Sequence, residues 1–180
     1  SGVYLAYTST KGYALIDRRL FVPEKWFGQE YEERRKKCKM PQDLVFKKKP
    51  ELANEMIQEV CKRGLFSFRW VTCDTIFGNS PEFLQNLPEH VFCLAEIAKN
   101  RKVWIKPEES RDRKKRPPVS VSDIARDEKV AWKLTKLAEG AKGPILGFVS
   151  RVRVYVDEPG KAENERWLFL RKDTTQLPKY

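Results

Sequence analysis

The stretch Phe68-Arg69-Trp70-Val71-Thr72-Cys73-Asp74-Thr75-Ile76-Phe77-Gly78-Asn79-Ser80-Pro81-Glu82 sets the reading of the whole chain. Its first half is aromatic and β-branched, the composition of a short strand, and it ends on one carboxylate, Asp74. A turn follows. Ser80 then suits an N-cap, Pro81 the first helical position and Glu82 the positive end of the helix dipole. Asp74 is therefore expected at the carboxyl end of a strand, on the lip where open α/β sheets bind ligands. The plainer reading, that its side chain only accepts hydrogen bonds from turn amides, is equally compatible with the spacing.

The neighbouring segments extend this unit. Residues 50–63 carry Leu52, Ala53, Met56, Ile57 and Val60 as one apolar helical stripe, and Gly64 ends the helix. A second helix is expected over 81–87 with Phe83, Leu84 and Leu87 inward. Residues 91–97 are apolar on both faces, as in a strand buried inside a parallel sheet. Strand, helix and strand make a βαβ unit with a right-handed crossover. Upstream, residues 3–7 and 13–22 read as strands joined by Ser9-Thr10-Lys11-Gly12 and stopped by Pro23, an antiparallel hairpin. Asp17, beside Arg18 and Arg19, reads as a surface carboxylate balancing those arginines.

Charge narrows the partners. The chain has 180 residues and a net charge of +11, with 41% hydrophobic and 12% aromatic residues. It is long enough for a real core and too apolar for disorder. The positive excess favours an anionic partner, nucleic acid or an acidic membrane surface. No apolar run reaches the ~20 residues a membrane span needs. The start, Ser1-Gly2-Val3-Tyr4-Leu5, has no initiator Met and no basic region of the kind a signal peptide opens with, and reads either as an engineered start or as a chain cut inside a strand. Cys38, Cys61, Cys73 and Cys93 are widely spaced and His90 is the only histidine, poor material for zinc and consistent with thiols in a reducing cytoplasm.

The basic residues fall in runs. Arg34, Arg35, Lys36 and Lys37, then Lys47, Lys48 and Lys49, bracket a weakly structured excursion anchored by Trp26 and Phe27. Arg101 and Lys102, then Arg111, Arg113, Lys114, Lys115 and Arg116, flank Val103-Trp104-Ile105 in a mobile loop over 99–120. Residues 120–137 read as partly helical, with Ser120 and Asp123 as a cap pair. Lys142 lies in Gly140-Ala141-Lys142-Gly143-Pro144, which lacks the phosphate-binding loop's spacing and its Ser or Thr, so no nucleotide cofactor is expected. Val152, Val154 and Val156 alternate with Arg151, Arg153 and Tyr155, and residues 166–171 answer as the return strand. One face of that hairpin is basic and suits a phosphate backbone. No pair of aromatic side chains on one strand reads as exposed, which argues against an RNA-recognition sheet.

Three segments carry a family resemblance: residues 14–23 (ALIDRRLFVP), 46–53 (FKKKPELA) and 70–78 (WVTCDTIFG). Trp132, Gly140-Ala141-Lys142-Gly143-Pro144 and Arg166-Trp167-Leu168 continue it in order. Together they resemble the bacterial insertion-sequence DDE transposases, whose ribonuclease-H-like catalytic domain carries a β-rich insertion. The resemblance implies an α/β fold with a mixed ribonuclease-H-like sheet and flanking helices. It implies a partial catalytic core over 1–98, the basic loop over 99–120, and an insertion with a helix and a β-hairpin over 121–180. It also implies metal-dependent cleavage and transfer of DNA strands in a bacterial cytoplasm. Mg²⁺ or Mn²⁺ would be held by three acidic residues as a pair about 3.5–4 Å apart.

Asp74 matches the family's second aspartate, as catalytic residue and metal ligand. The first would precede Ser1 and the glutamate would follow Tyr180, so these residues alone are not expected to cut DNA. In the family's sheet order, strands 3–7 and 68–74 flank a slot for the missing first strand. Glu96, at the end of the neighbouring strand, is a second carboxylate that could lie near Asp74, its plainer reading being a solvated strand end. The expected partner is DNA, as transposon ends and target, with self-association left open. The alternative is a non-catalytic basic fragment that binds DNA or RNA.

Overall fold

The computed structural model describes residues 1–106, 117–156 and 165–174. The chain divides into two compact units, Ser1–Ile97 and Ala98–Tyr180. The architecture is mixed α/β, with more sheet than helix.

The first unit opens with strands β1 (Gly2–Ser9) and β2 (Gly12–Leu20), paired antiparallel with a register slip between Leu5 and Ala6. The turn closes because Ser9 Oγ accepts from the Lys11 amide at 3.2 Å and Gly12 takes φ +142°, a conformation glycine reaches without strain. Val3 points inward and is buried, while Tyr4, Tyr13 and Leu15 are exposed. Asp17 pairs with Arg19, whose other guanidinium nitrogen reaches Glu59 at 2.8 Å, so Asp17 is the charge-balancing carboxylate its neighbours imply.

Two 3-10 turns, Glu24–Phe27 and Gln29–Tyr31, lead into helix α1 (Glu32–Lys37), and none of the three contains a buried residue. Helix α2 (Lys49–Arg63) starts where the Lys48 amide donates to Glu51 at 2.6 Å and ends on Gly64 at φ +64°. Its stripe of Leu52, Ala53, Met56, Ile57 and Val60 is buried as the periodicity requires. Strand β3 (Trp70–Cys73), helices α3 (Thr75–Gly78) and α4 (Pro81–Gln85), and strand β4 (Phe92–Ala95) complete the unit. β3 and β4 pair in parallel, with Trp70 beside Phe92 and Cys73 beside Ala95.

Two expectations are corrected here. Phe92 and Leu94 are exposed, and Cys93 and Ala95 on the other face are only half-buried, so β4 is not covered on both faces. Leu84 is also exposed, because a helix of five residues turns Phe83 fully inward and its neighbour outward. No ladder joins β1 to β3, and the two pairs are separate two-stranded sheets. They share one core instead: Val3, Leu52, Ala53, Met56, Ile57 and Phe83, with Leu5, Phe21, Val71, Cys73, Phe77 and Leu87 packed against it.

The second unit is built on strand β8 (Gly143–Tyr155). Strands β7 (Lys133–Gly140) and β5 (Lys102–Ile105) pair with successive stretches of one of its edges, and β9 (Glu165–Asp173) takes the other. The short strand β6 (Val119–Ser120) adds to β5 and runs into helix α5 (Val121–Arg126). Ser120 Oγ accepts from the Asp123 amide at 3.2 Å and donates to the Asp123 carboxylate at 2.6 Å, the anticipated cap pair.

Here too the structure departs from the sequence expectation. Val103-Trp104-Ile105 is strand, not mobile loop, because Val103 is completely buried. The helix expected over 120–137 stops at Arg126, and Leu134 belongs to β7. Gly140 pairs with Gly143 across a two-residue turn, and Gly143 at φ +113° permits it. That hairpin commits Lys133–Gly140 to pairing despite its helix-compatible spacing of leucines.

One ion cluster ties β5, β8 and β9 together. Lys106 Nζ donates to both Glu165 oxygens at 3.1 and 3.0 Å, and Arg153 reaches Glu165 at 2.5 Å. The lysine bond first, then the arginine, holds the Glu165 carboxyl below its ordinary value of 4.5. A depressed folded-state pKa gives stability that is complete above the unfolded value and is lost as pH falls through the folded one. Wild type should therefore melt above Glu165→Gln at neutral pH, and the gap should close below about pH 4.5. A gap independent of pH in thermal melts would refute this role.

Gly78 gives a second expectation. A β-carbon there would sit 2.1 Å from the Glu96 carbonyl oxygen and 3.0 Å from Ala95 Cβ. Gly78→Ala should cost about 1–3 kcal/mol in urea unfolding, the range for overpacking. Gly28→Ala, whose nearest neighbour would be a carbonyl at 3.4 Å, should be close to neutral.

Candidate functional site

Asp74 follows β3 directly and caps α3. Its backbone is extended, and Oδ1 accepts from the Ile76 amide at 2.9 Å. The turn-amide role is thus real, and the side chain is exposed. The Glu96 amide donates to the Cys73 carbonyl at 2.9 Å, one step beyond the last strand pair. Asp74 and Glu96 therefore extend the same end of the β3–β4 pair, and the close approach of Gly78 to the Glu96 carbonyl packs α3 against that end.

Behind them, on the core side, Cys73 and Cys93 form a thiol pair. Cys73 is held far above the usual thiol range, first by donating its proton to Cys93 and then by burial and the Asp74 and Glu96 charges. Cys93 is lowered because it accepts that bond. The lip thus combines two exposed carboxylates with a protonated, half-buried thiol behind them. Among the described residues, no group of three or more His, Cys, Asp and Glu side chains is placed to hold a metal ion. Asp74 offers a hard oxygen ligand, but one carboxylate already bonded to an amide does not make a divalent-cation site.

Many of the basic residues serve local structure. Arg34 lies over the Tyr31 ring at 5.4 Å, Arg35 donates to the Phe27 carbonyl at 3.2 Å, and Lys36 pairs with Glu32 at 2.8 Å. Lys47 pairs with Glu55 at 2.6 Å and Lys49 lies over Phe21 at 5.2 Å. Lys37 and Lys48 are exposed. In the second unit the Arg101 carbonyl accepts from the Val121 amide at 3.0 Å, Lys102 is exposed in β5, and Lys142 is exposed at the tip of the β7–β8 turn. Arg151 and Arg153 share one face of β8, with their guanidinium carbons 4.9 and 4.5 Å from the Trp167 ring centre. Arg111, Arg113, Lys114, Lys115 and Arg116 lie outside the described residues.

The sequence reading missed Trp167 and Phe169. They sit two apart on β9, opposite Arg153 and Arg151, and are 45% and 55% exposed. The expectation that no strand presents an exposed aromatic pair is therefore corrected. The signal was Leu168 and Leu170, which are buried and so force their aromatic neighbours onto the other face.

No described helix is long and apolar enough to cross a membrane. Neither the curated proteins nor the solved structures contain a match to this chain. The sequence model of the DDE superfamily endonucleases matches residues 1–145, which include both carboxylates of the lip. The chain belongs to the DDE superfamily endonuclease family.

Proposed function

We propose that this chain forms part of the catalytic domain of a DDE transposase, with Asp74 as one of the acidic residues that act on DNA. The family is nuclease- or transposase-like, and its substrate is DNA. The observation that carries the finer reading is the position of Asp74. It stands exposed at the carboxyl end of a strand in a parallel pair, where ligands of open α/β sheets bind.

The sheet is proposed to be ribonuclease-H-like, in the order β2, β1, an intervening strand, β3, β4. Its support is that β1 and β3 each pair on one side only among the described residues, while sharing a core. The strand between them would come from elsewhere in the protein or from a second copy.

Enzymes of this superfamily generally use divalent metals, and Mg²⁺ or Mn²⁺ bound by carboxylates would polarise a phosphate and activate a hydroxyl or water. The described residues supply too few ligands to fit such a site, so no catalytic step is assigned to them. That shortage of ligands also supports a second reading, a basic nucleic-acid-binding chain without chemistry of its own.

The two readings diverge on one substitution. Asp74→Asn in the complete transposase should abolish cleavage and strand transfer while the protein still folds, because asparagine caps a helix about as well as aspartate. Transposon ends cut at the normal rate by that variant would exclude Asp74 from the chemistry.

Contact with duplex DNA is proposed to run through the phosphates, using Arg34–Lys37, Lys47–Lys49, Arg101, Lys102, Arg111, Arg113–Arg116, Lys142, Arg151 and Arg153. Fluorescence anisotropy should show affinity falling steeply with salt, with a slope of about 0.9 per phosphate neutralised. Alanine at Arg113, Lys114, Lys115 and Arg116 should flatten that slope equally on unrelated sequences. A salt-independent affinity in the unsubstituted chain would end the phosphate assignment.

A further inference from the structure

We infer that the solvent face of the β8–β9 hairpin is a stacking platform for unpaired bases of single-stranded DNA. This rests on the reading of DNA as the substrate and is independent of Asp74 and of any metal.

The register defines the face. Residues directly opposite in an antiparallel ladder share a face, and every second residue returns to it. Arg151 opposes Phe169, Arg153 opposes Trp167, Val149 opposes Arg171, and Lys133 of β7 also opposes Val149. The other face carries the buried Val154, Leu168 and Leu170. The hairpin therefore keeps its core on one side and turns two aromatic rings outward on the other.

Two features select the occupant. The first is charge. Lys106, Lys133, Arg151, Arg153 and Arg171 lie on or beside this face, against two acids: Glu165, already bonded to Lys106 and Arg153, and the exposed Asp173, opposite Gly147 beyond Arg171. The surplus calls for an anion. The second is the rings. Trp167 remains 45% exposed with two guanidiniums against it, and Phe169 is 55% exposed. Aromatic side chains in a positively charged surface are what sequence-tolerant single-strand binding uses, because every base has a π face. Duplex DNA hides those faces within its own stack.

The spacing agrees with this choice. Residues two apart on a strand rise about 6.8 Å. That is twice the ~3.4 Å per nucleotide of a stacked strand. Neighbouring bases can occupy Trp167 and Phe169 together only when drawn apart, as in an extended single strand. The pair of guanidiniums on Trp167 holds its ring and adds cation–π attraction. A protein partner for an aromatic and arginine-rich patch would need to be strongly acidic, and a DNA-acting family already supplies the anion.

The experiment measures anisotropy of the full chain with a labelled oligothymidine single strand and with a duplex of equal length, across a salt series. Trp167→Leu with Phe169→Leu should weaken single-strand binding at least five-fold, the low end for loss of base stacking. The salt slope and the duplex affinity should stay unchanged. Trp167→Phe should retain most of the single-strand affinity. Ultraviolet crosslinking of the unsubstituted chain to the labelled single strand should place the adduct on the peptide carrying Trp167 and Phe169, a readout that does not depend on how the variants fold.

Unchanged single-strand affinity in the double variant, a parallel loss on duplex, or adducts confined to other peptides would each overturn the inference. The proposed phosphate contacts to duplex would survive the first and third of these results. Tighter binding of single-stranded RNA of matching sequence would overturn the assignment to DNA. Absence of binding to any of these nucleic acids would remove this inference and the DNA reading together.

Discussion

The first unit depends on one helical face. β1–β2 and β3–β4 have no backbone ladder between them, and a two-stranded sheet is marginal by itself. What unites them is the stripe of α2. Leu52, Ala53, Met56 and Ile57 meet Val3 from the hairpin and Phe83 from α4, while Leu5, Val71 and Cys73 pack against the same cluster. Of these, the Val, Leu, Ile, Met and Phe side chains contribute roughly 1.5–3 kcal/mol each when fully buried. Burial without direction thus does what hydrogen bonding does within an ordinary sheet, and among the described residues β1 and β3 each pair along one edge.

That arrangement also shapes the Asp74 lip. Parallel pairing of β3 and β4 places their carboxyl ends side by side, and a helix must start at once after β3 to leave the sheet. Asp74 caps that helix, and Gly78 lets its last turn approach the Glu96 carbonyl more closely than any side chain would allow. The same carboxylate therefore has a local structural task and an exposed position, and the proposed role on DNA would be added to the first. These roles are compatible, because capping uses one oxygen and orients the group.

The second unit separates its two tasks by face. One side of the sheet is buried around Val103, Val154, Leu168 and Leu170. The other presents cations and aromatic rings, with Glu165 clamping β5, β8 and β9. In the first unit, by contrast, much of the positive charge is engaged nearby: Lys36 with Glu32, Lys47 with Glu55, Arg35 with a carbonyl, Lys49 over a ring. A charge count overstates what such runs can offer to phosphates. The residues on β8 and β9 are held by packing and pairing, so their positions are better defined than those of a solvated helix.

Features governed by near neighbours are legible in the chain of residues alone. The stripe of α2, its end at Gly64, the Ser80–Pro81 and Ser120–Asp123 helix starts, both hairpins and the place of Asp74 at a strand end all follow from periodicity, caps and turn residues acting over a few positions. Features governed by what covers a surface are not. Phe92 and Leu94 look like core and are exposed, since apolar composition does not say whether a layer lies above them. Lys133–Gly140 looks helical and is a strand, since its partner β8 overrides a weak local preference. Trp167 and Phe169 are hidden in an unbroken apolar run, and only the burial of Leu168 and Leu170 assigns each ring its face. The sequence by itself determined the caps, the turns and the strongest helical stripe, and it named the candidate residues. The tertiary structure decided which of them face solvent together, because exposure depends on segments distant in the chain.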